Sequence, residues 1–161
     1  MKILFVSQDL VAGNLALLLK KEKYQVKFFI NDSGRKSNFH NLVNKSKDWK
    51  KDVAKIGKND LVIFDCNEFG KVQDRLRTNG KSVFGSSAEG DLLECDRQFG
   101  SKIMKDYGIK LYSTYNFNSI ENAINFIKEK KGKWVVKQNS EGTGLKSLNY
   151  VGLLKNGTDT I

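Results

Sequence analysis

Met1-Lys2-Ile3-Leu4-Phe5-Val6-Ser7-Gln8-Asp9 opens the chain, and its reading decides the fold. The apolar run is shorter than the h-region of a secretory leader, and no small-residue cleavage site follows it. It reads instead as a strand buried on both faces. From there the period changes. Leu15, Leu18, Leu19 and Glu22 keep helical spacing with the apolar members on one side. Residues 24–30 read as a second strand, closed by the turn residues Asn31-Asp32-Ser33-Gly34. Trp49, Val53 and Ile56 fall on one helical face, and Lys45, Lys47, Lys50, Lys51, Lys55 and Lys58 are expected on its solvated sides. Residues 61–65 give a third buried strand. Phe69, Val72 and Leu76 form the next helical stripe, which Gly80 can end in a left-handed conformation, and residues 82–85 give a fourth strand. This alternation predicts right-handed βαβ units and a Rossmann-like parallel sheet of at least four strands, with Lys2–Ser7 central and ligands beyond the strand C-termini.

The second half follows another pattern. Leu92, Cys95, Phe99 and Ile103 define one long helix, entered through Asp91 with Glu94 three residues on and ended by Gly108. Residues 110–117 are strand-like, and Asn118 with Glu121 opens a helix carrying Ile120, Ala123, Ile124 and Ile127 on one face. Trp134-Val135-Val136-Lys137 reads as a short buried strand, and residues 147–154 as its hairpin partner after a glycine-bearing segment. The change of pattern sets an expected division into residues 1–90 and 91–161, and no internal repeat is visible.

Composition narrows the function classes. Hydrophobic residues at 39% and charged residues at 29% describe a globular chain. No apolar run approaches the ~20 residues that cross a bilayer, so a cytoplasmic protein without a membrane partner is expected. Cys66, Cys95 and the single histidine, His40, lack the close spacing of a zinc site. The net charge of +10 attracts phosphate. No aromatic-studded basic segment of the kind that stacks single-stranded bases is present, which argues against a nucleic-acid partner.

Three constellations could carry chemistry. Asp9 and Asp65 each follow a predicted strand and with Ser86 or Ser87 would suit Mg²⁺ and a receiver-type site, but the strand-end lysine such a site needs, Lys137, lies about 50 residues beyond Ser86, where roughly one βα unit is expected. Asp9-Leu10-Val11-Ala12-Gly13-Asn14 lies between the first strand and a helix, the place of a phosphate-binding turn. Lys137, at the end of a buried strand, must send its ammonium towards an anion. The following Gly142-Thr143-Gly144 can present backbone N–H groups to phosphate oxygens.

The third constellation belongs to a longer ordered series. Asp60-Leu61-Val62-Ile63-Phe64 and Leu76-Arg77-Thr78-Asn79-Gly80-Lys81-Ser82-Val83-Phe84-Gly85 resemble the pre-ATP-grasp domain of phosphoribosylamine–glycine ligase. Leu93-Glu94-Cys95-Asp96-Arg97-Gln98-Phe99, Met104, Tyr107-Gly108-Ile109 and Val135-Val136-Lys137 resemble that family's next segments, in the same order and at nearly the same spacing. The resemblance implies a Rossmann-like domain followed by the first α+β lobe of an ATP-grasp domain. In that superfamily a carboxylate attacks the γ-phosphate of ATP, and an amine then displaces phosphate from the acyl-phosphate. ATP, Mg²⁺ and small-molecule carboxylate and amine substrates are therefore implied, as is a role in purine biosynthesis. Carried over by position, Arg97 and Lys137 stand where the family's nucleotide-contacting lysines stand. Gly142, Thr143, Gly144 and Lys146 fall in its mobile phosphate-covering loop. The resemblance assigns no catalytic residue here and places the Mg²⁺ ligands beyond residue 161, so the chain is expected to be an incomplete and inactive portion. Three segments depart from the family: Ser7-Gln8-Asp9-Leu10-Val11-Ala12-Gly13 replaces its glycine-rich turn, Asp65-Cys66-Asn67-Glu68 its Gly-Pro-Glu, and Asn139-Ser140-Glu141-Gly142-Thr143-Gly144-Leu145-Lys146 its loop Asp-Gly-Leu-Ala-Ala-Gly-Lys-Gly. A non-catalytic phosphate-binding regulatory module and a basic nucleic-acid-binding protein remain the alternative readings.

Overall fold

Four consecutive residues, Ile3, Leu4, Phe5 and Val6, are each at most 1% exposed, and this sealing on both sides organises the first half of the chain. A computed structural model describes residues 1–137 and 149–161. The chain divides into two compact units, Met1–Leu92 and Leu93–Ile161.

The first unit is an α/β layer built on a five-stranded, all-parallel sheet. Its strands are β1 (Lys2–Ser7), β2 (Gln25–Ile30), β3 (Asn44–Lys45), β4 (Leu61–Phe64) and β5 (Ser82–Phe84), in the order β3-β2-β1-β4-β5. Helices α1 (Gly13–Lys21), α2 (Trp49–Val53) and α3 (Gly70–Thr78) supply the connections. Alternation along β1 allocates two cores. Ile3 and Phe5 join Val26, Phe28, Ile30 and Ala16 of α1 on one side. Leu4 and Val6 join Val62, Phe64, Trp49 and Val53 on the other, where Trp49 meets Phe64 and Phe69 edge-on. The sheet is thus the Rossmann-like layer that the strand–helix alternation predicts, with β1 in its centre.

Two local readings change here. The lysines assigned to one helix are divided among elements: α2 is only Trp49–Val53, Lys45 lies in β3, and Ile56 is buried beyond the helix. Asp48 caps α2 by accepting from Lys50 and Lys51 N–H, and Lys55 N–H already bonds back to the Asp52 carbonyl in a tightened last turn. Strand β3 has no apolar residue to announce it; backbone pairing to Lys27 and Phe28 makes it a strand. Gly80 does end α3. At φ 74° it donates to Arg77 O while Lys81 donates to Leu76 O, a pair of bonds that satisfies the last carbonyls.

The second unit contains α5 (Arg97–Asp106), α6 (Ile120–Glu129) and an antiparallel pair, β6 (Val135–Lys137) with β7 (Asn149–Val151). Helix α4 (Ala88–Cys95) runs across the division. The single helix expected through Leu92 and Ile103 is therefore two, broken where Asp96 turns extended and caps α5 through Gln98 and Phe99 N–H. Helix α4 starts at Ser87 rather than Asp91: Ser87 Oγ takes Gly90 N–H, while the Asp91 carboxylate is drawn to Gly70 N–H at 2.6 Å. Ser119, not Asn118, caps α6. Residues 110–117 form no strand. Tyr115 and Phe117 instead lay their rings on Phe126 of α6, and Trp134 joins them at 5.3 Å from Phe126. Strand β6 is also not buried, since Val135 and Val136 are 53% and 42% exposed.

One buried charge ties β2 to α2. Asp52 accepts from Lys27 Nζ at 2.7 Å and from Ser46 Oγ at 2.6 Å. Burial works to raise its pKa, but these hydrogen bonds and the charges of Lys27 and Lys55 outweigh it and hold the carboxyl below its usual range. Lys27 is half exposed and can be resolvated, so breaking this pair costs less than breaking a fully buried one. Asp52→Asn should lower stability by about 2 kcal/mol, the scale of a charge-assisted hydrogen bond. Because the folded carboxyl titrates low, the wild-type advantage should be complete above pH ~4 and disappear as pH falls through the folded value. Denaturant melts of both proteins at neutral and acid pH check this; an advantage that persists unchanged in acid would contradict it.

Candidate functional site

In the order β3-β2-β1-β4-β5 the chain runs outward from β1, then returns to β1's other side and runs outward again. The loops after β1 and β4 therefore diverge to opposite faces and leave a crevice at the strand C-termini, the usual ligand position in such sheets. Residues 7–12 follow β1 at this edge and residues 65–69 follow β4.

Asp65 controls this crevice. Its Oδ2 accepts from Ser7 Oγ at 2.8 Å and from Ala12 N–H, at the start of α1, at 2.7 Å. Ser7 Oγ in turn accepts Leu10 N–H, and Gly13 N–H bonds back to Leu10 O. The amides of Leu10, Ala12 and Gly13 are thus engaged internally. At the start of α1 the Asp65 carboxylate occupies the Ala12 amide, one of the groups a phosphate would use there. Among the described residues, Asp65 Oδ1 is buried without a hydrogen-bond partner. The backbone around the crevice is strained, with Leu10 at φ 77° and Glu68 at φ 81° in a region that non-glycine residues avoid.

The Asp9–Asp65 pair does not assemble a receiver-type site. The Asp65 carboxylate turns to Ser7 and α1, and Ser87 caps α4. Lys137 ends a strand of the separate two-stranded sheet. Among the described residues no three carboxylate, cysteine or histidine side chains converge as metal ligands. Cys66, directly after Asp65, has a free thiol. Burial pushes that thiol up to about 11; a backbone hydrogen bond from Gln8 works the other way, and the charges of Asp65, Asp9 and Glu68 add to the rise.

The residues singled out by resemblance lie in the second unit. Arg97 is the first residue of α5, directly after its Asp96 cap, and Lys137 is the exposed last residue of β6, paired with Asn149. Because β6 is exposed, burial does not force the Lys137 ammonium outward as a buried strand would. Gly142, Thr143, Gly144 and Lys146 lie outside the described residues.

Sequence reasoning missed a second feature of the strand C-terminal edge. Beyond the ends of β2 and β3, Phe29, Ile30, Lys36, His40, Lys45, Ser46 and Lys47 line a cleft of about 400 Å³. The signal was present: residues 33–47 contain four Lys and Arg, one His and no acidic residue.

The thiol provides a direct check on the crevice. In a Cys95→Ser background, Cys66 should alkylate at pH 8 about 100-fold more slowly than an ordinary thiol, since only the thiolate reacts. Its rate should still be rising tenfold per pH unit at pH 9.5. A rate that levels off near pH 9 would show that neither burial nor the acidic neighbours act on it.

Comparison with models of known protein families and with curated proteins gives no match for this chain.

Proposed function

We propose that this chain carries the pre-ATP-grasp domain and the first ATP-grasp lobe of an ATP-dependent carboxylate–amine ligase similar to phosphoribosylamine–glycine ligase. Such an enzyme would form its C–N bond through an acyl-phosphate, with ATP and Mg²⁺ as cofactors. One observation carries the reading: the segments that resemble the family fall, in order, on distinct structural features. Asp60 to Phe64 lead into and form β4, and Leu76 to Gly85 span the end of α3, its glycine cap and β5. Leu93 to Phe99 span the α4–α5 break. Tyr107-Gly108-Ile109 is the cap of α5, in which Gly108 N–H meets Lys105 O and Ile109 N–H meets Met104 O. Val135 to Lys137 are β6. A parallel sheet followed by an α+β unit with an antiparallel strand pair is the layout that this family has.

In this reading the chain's own residues bind and orient the nucleotide. Lys137 offers a cation at the end of β6, and the resemblance assigns Gly142, Thr143, Gly144 and Lys146 to the family's phosphate-covering segment. Arg97 stands at the first position of α5, where a cation opposes the helix dipole and is better placed beside an anion. Positive groups set around a triphosphate stabilise charge during phosphoryl transfer.

Lys137→Ala should weaken ATP binding by about 1.5–3 kcal/mol, the range for losing a charge-assisted hydrogen bond. Its melting temperature should not change, because the side chain is exposed. Lys51→Ala, an exposed lysine paired with Asp48 at 3.7 Å, is the control. Calorimetric titration of Mg-ATP into the three proteins checks this. Equal, small effects from both substitutions would leave Lys137 as one more solvated charge and remove the main support for the nucleotide site.

A further inference from the structure

The cleft beyond β2 and β3 concentrates cations without counter-ions. Four of its lining residues are Lys36, His40, Lys45 and Lys47, and none of the lining residues is acidic. Among the described residues, none of these four side chains takes part in an ion pair. Lys45 is the most telling of them. Its side chain is partly buried, its Nζ donates to Asn38 O at 2.8 Å, and it lies 5.6 Å from the centre of the Phe28 ring. Burial holds its pKa below the usual lysine value, the mark of an ammonium that has lost water and gained no carboxylate in return. A partly desolvated cation of this kind costs free energy unless an anion offsets it.

The other cleft of similar volume shows the contrast. Lys2, Lys27 and Lys55 line it at the N-terminal end of the sheet, but there Asp52 stands among them and pairs with Lys27 and Lys55. Two of the three cations at that end, Lys27 and Lys55, have a carboxylate partner. Those at the C-terminal edge, where ligands of parallel sheets bind, do not.

We infer that the Lys36–His40–Lys45–Lys47 cleft binds the phosphate group of a small phosphorylated molecule. Three ammonium groups around a concave site suit a phosphate dianion, because lysine serves phosphate as a point charge and a cleft focuses its field. The half-buried Phe29 adds an apolar wall for the carbon part of such a ligand. A single concavity of about 400 Å³ favours a small molecule over a nucleic-acid backbone, which needs an extended track of charge. The inference goes beyond the ligase reading and does not depend on it, since every residue concerned lies in the first unit.

The test is titration of inorganic phosphate into isotope-labelled protein at constant ionic strength, followed by the amide shifts. Saturable shifts are expected at residues 36, 40 and 45–47, absent with chloride. Lys45→Met should weaken phosphate binding about tenfold. Lys47→Met, at an exposed side chain with no hydrogen bond or ion pair among the described residues, should weaken it too and serves if the first variant melts early. Lys51→Met should leave it unchanged. Shifts spread over every lysine-bearing face, or left unmoved by the Lys45 and Lys47 substitutions, would overturn the inference. So would an oligonucleotide that binds the same residues more tightly than phosphate does, because that would make the partner a nucleic acid. Failure of ATP binding at Lys137 would leave these results intact, and the reverse also holds.

Discussion

Everything in the first unit depends on β1 being sealed on both faces. A strand with water on one side can tolerate polar residues at alternate positions; β1 cannot, and its interior is Ile-Leu-Phe-Val. Because its two sets of side chains enter different cores, α1 must cover one face and α2 with α3 the other. That requirement places the chain's reversal between β1 and β4. It also brings Ser7, fully buried at the end of β1, within reach of Asp65 at the end of β4. The crevice is thus a consequence of the core. The hydrogen bonds of Asp65 to Ser7 and Ala12 then lock the two loops that the core has brought together.

The same edge of the sheet is electrically divided. Around the crevice stand Asp9, Asp65 and Glu68, whose charges fall on the Cys66 thiol. Around the neighbouring cleft stand Lys36, His40, Lys45 and Lys47. The net charge of +10 gives no hint of this division, because a sum over the chain says nothing of placement. An anion at the start of α1 would face an internal carboxylate already seated on the Ala12 amide. At β2–β3 an anion would replace nothing.

What the sequence makes legible follows from which forces have a period. The strands β1, β2, β4 and β5 and the helices α1, α3 and α6 have apolar residues at regular intervals, and reading those intervals finds them. The two-residue β3 has none, and only its bonds to β2 create it. The break at Asp96 is hidden because a carboxylate on a solvated helix face and a carboxylate folding back as a cap look alike in sequence. Tyr115 and Phe117 have the composition of a strand, yet their rings find Phe126 while their backbone pairs with no strand. Trp134-Val135-Val136 reads as a buried run although β6 is exposed, because an apolar triplet does not say how many of its faces will be covered. The basic cleft fails for a different reason: its cations come from two aperiodic segments that only the β2–β3 pairing unites.

The segment that delivers half of those cations is itself constrained. Between the turn at Ser33–Arg35 and β3, Phe39 and Asn41 adopt φ values of 57° and 63°. Asparagine tolerates that region, whereas phenylalanine adopts it at a cost that its surroundings must offset. The Phe39 ring supplies part of the compensation, because it packs into the core beside α1, close enough to Gly13 that any side chain there would collide with it. Arg35 holds the start of the same segment by donating to Asp9 O at 2.6 Å. The chain between β2 and β3 is therefore anchored to the β1 loop at one end and to the core near its middle. Lys36 and His40 are each next to an anchored residue. Cations held near fixed backbone lose less freedom on meeting an anion than cations on a free loop, and that difference separates a binding site from a charged surface.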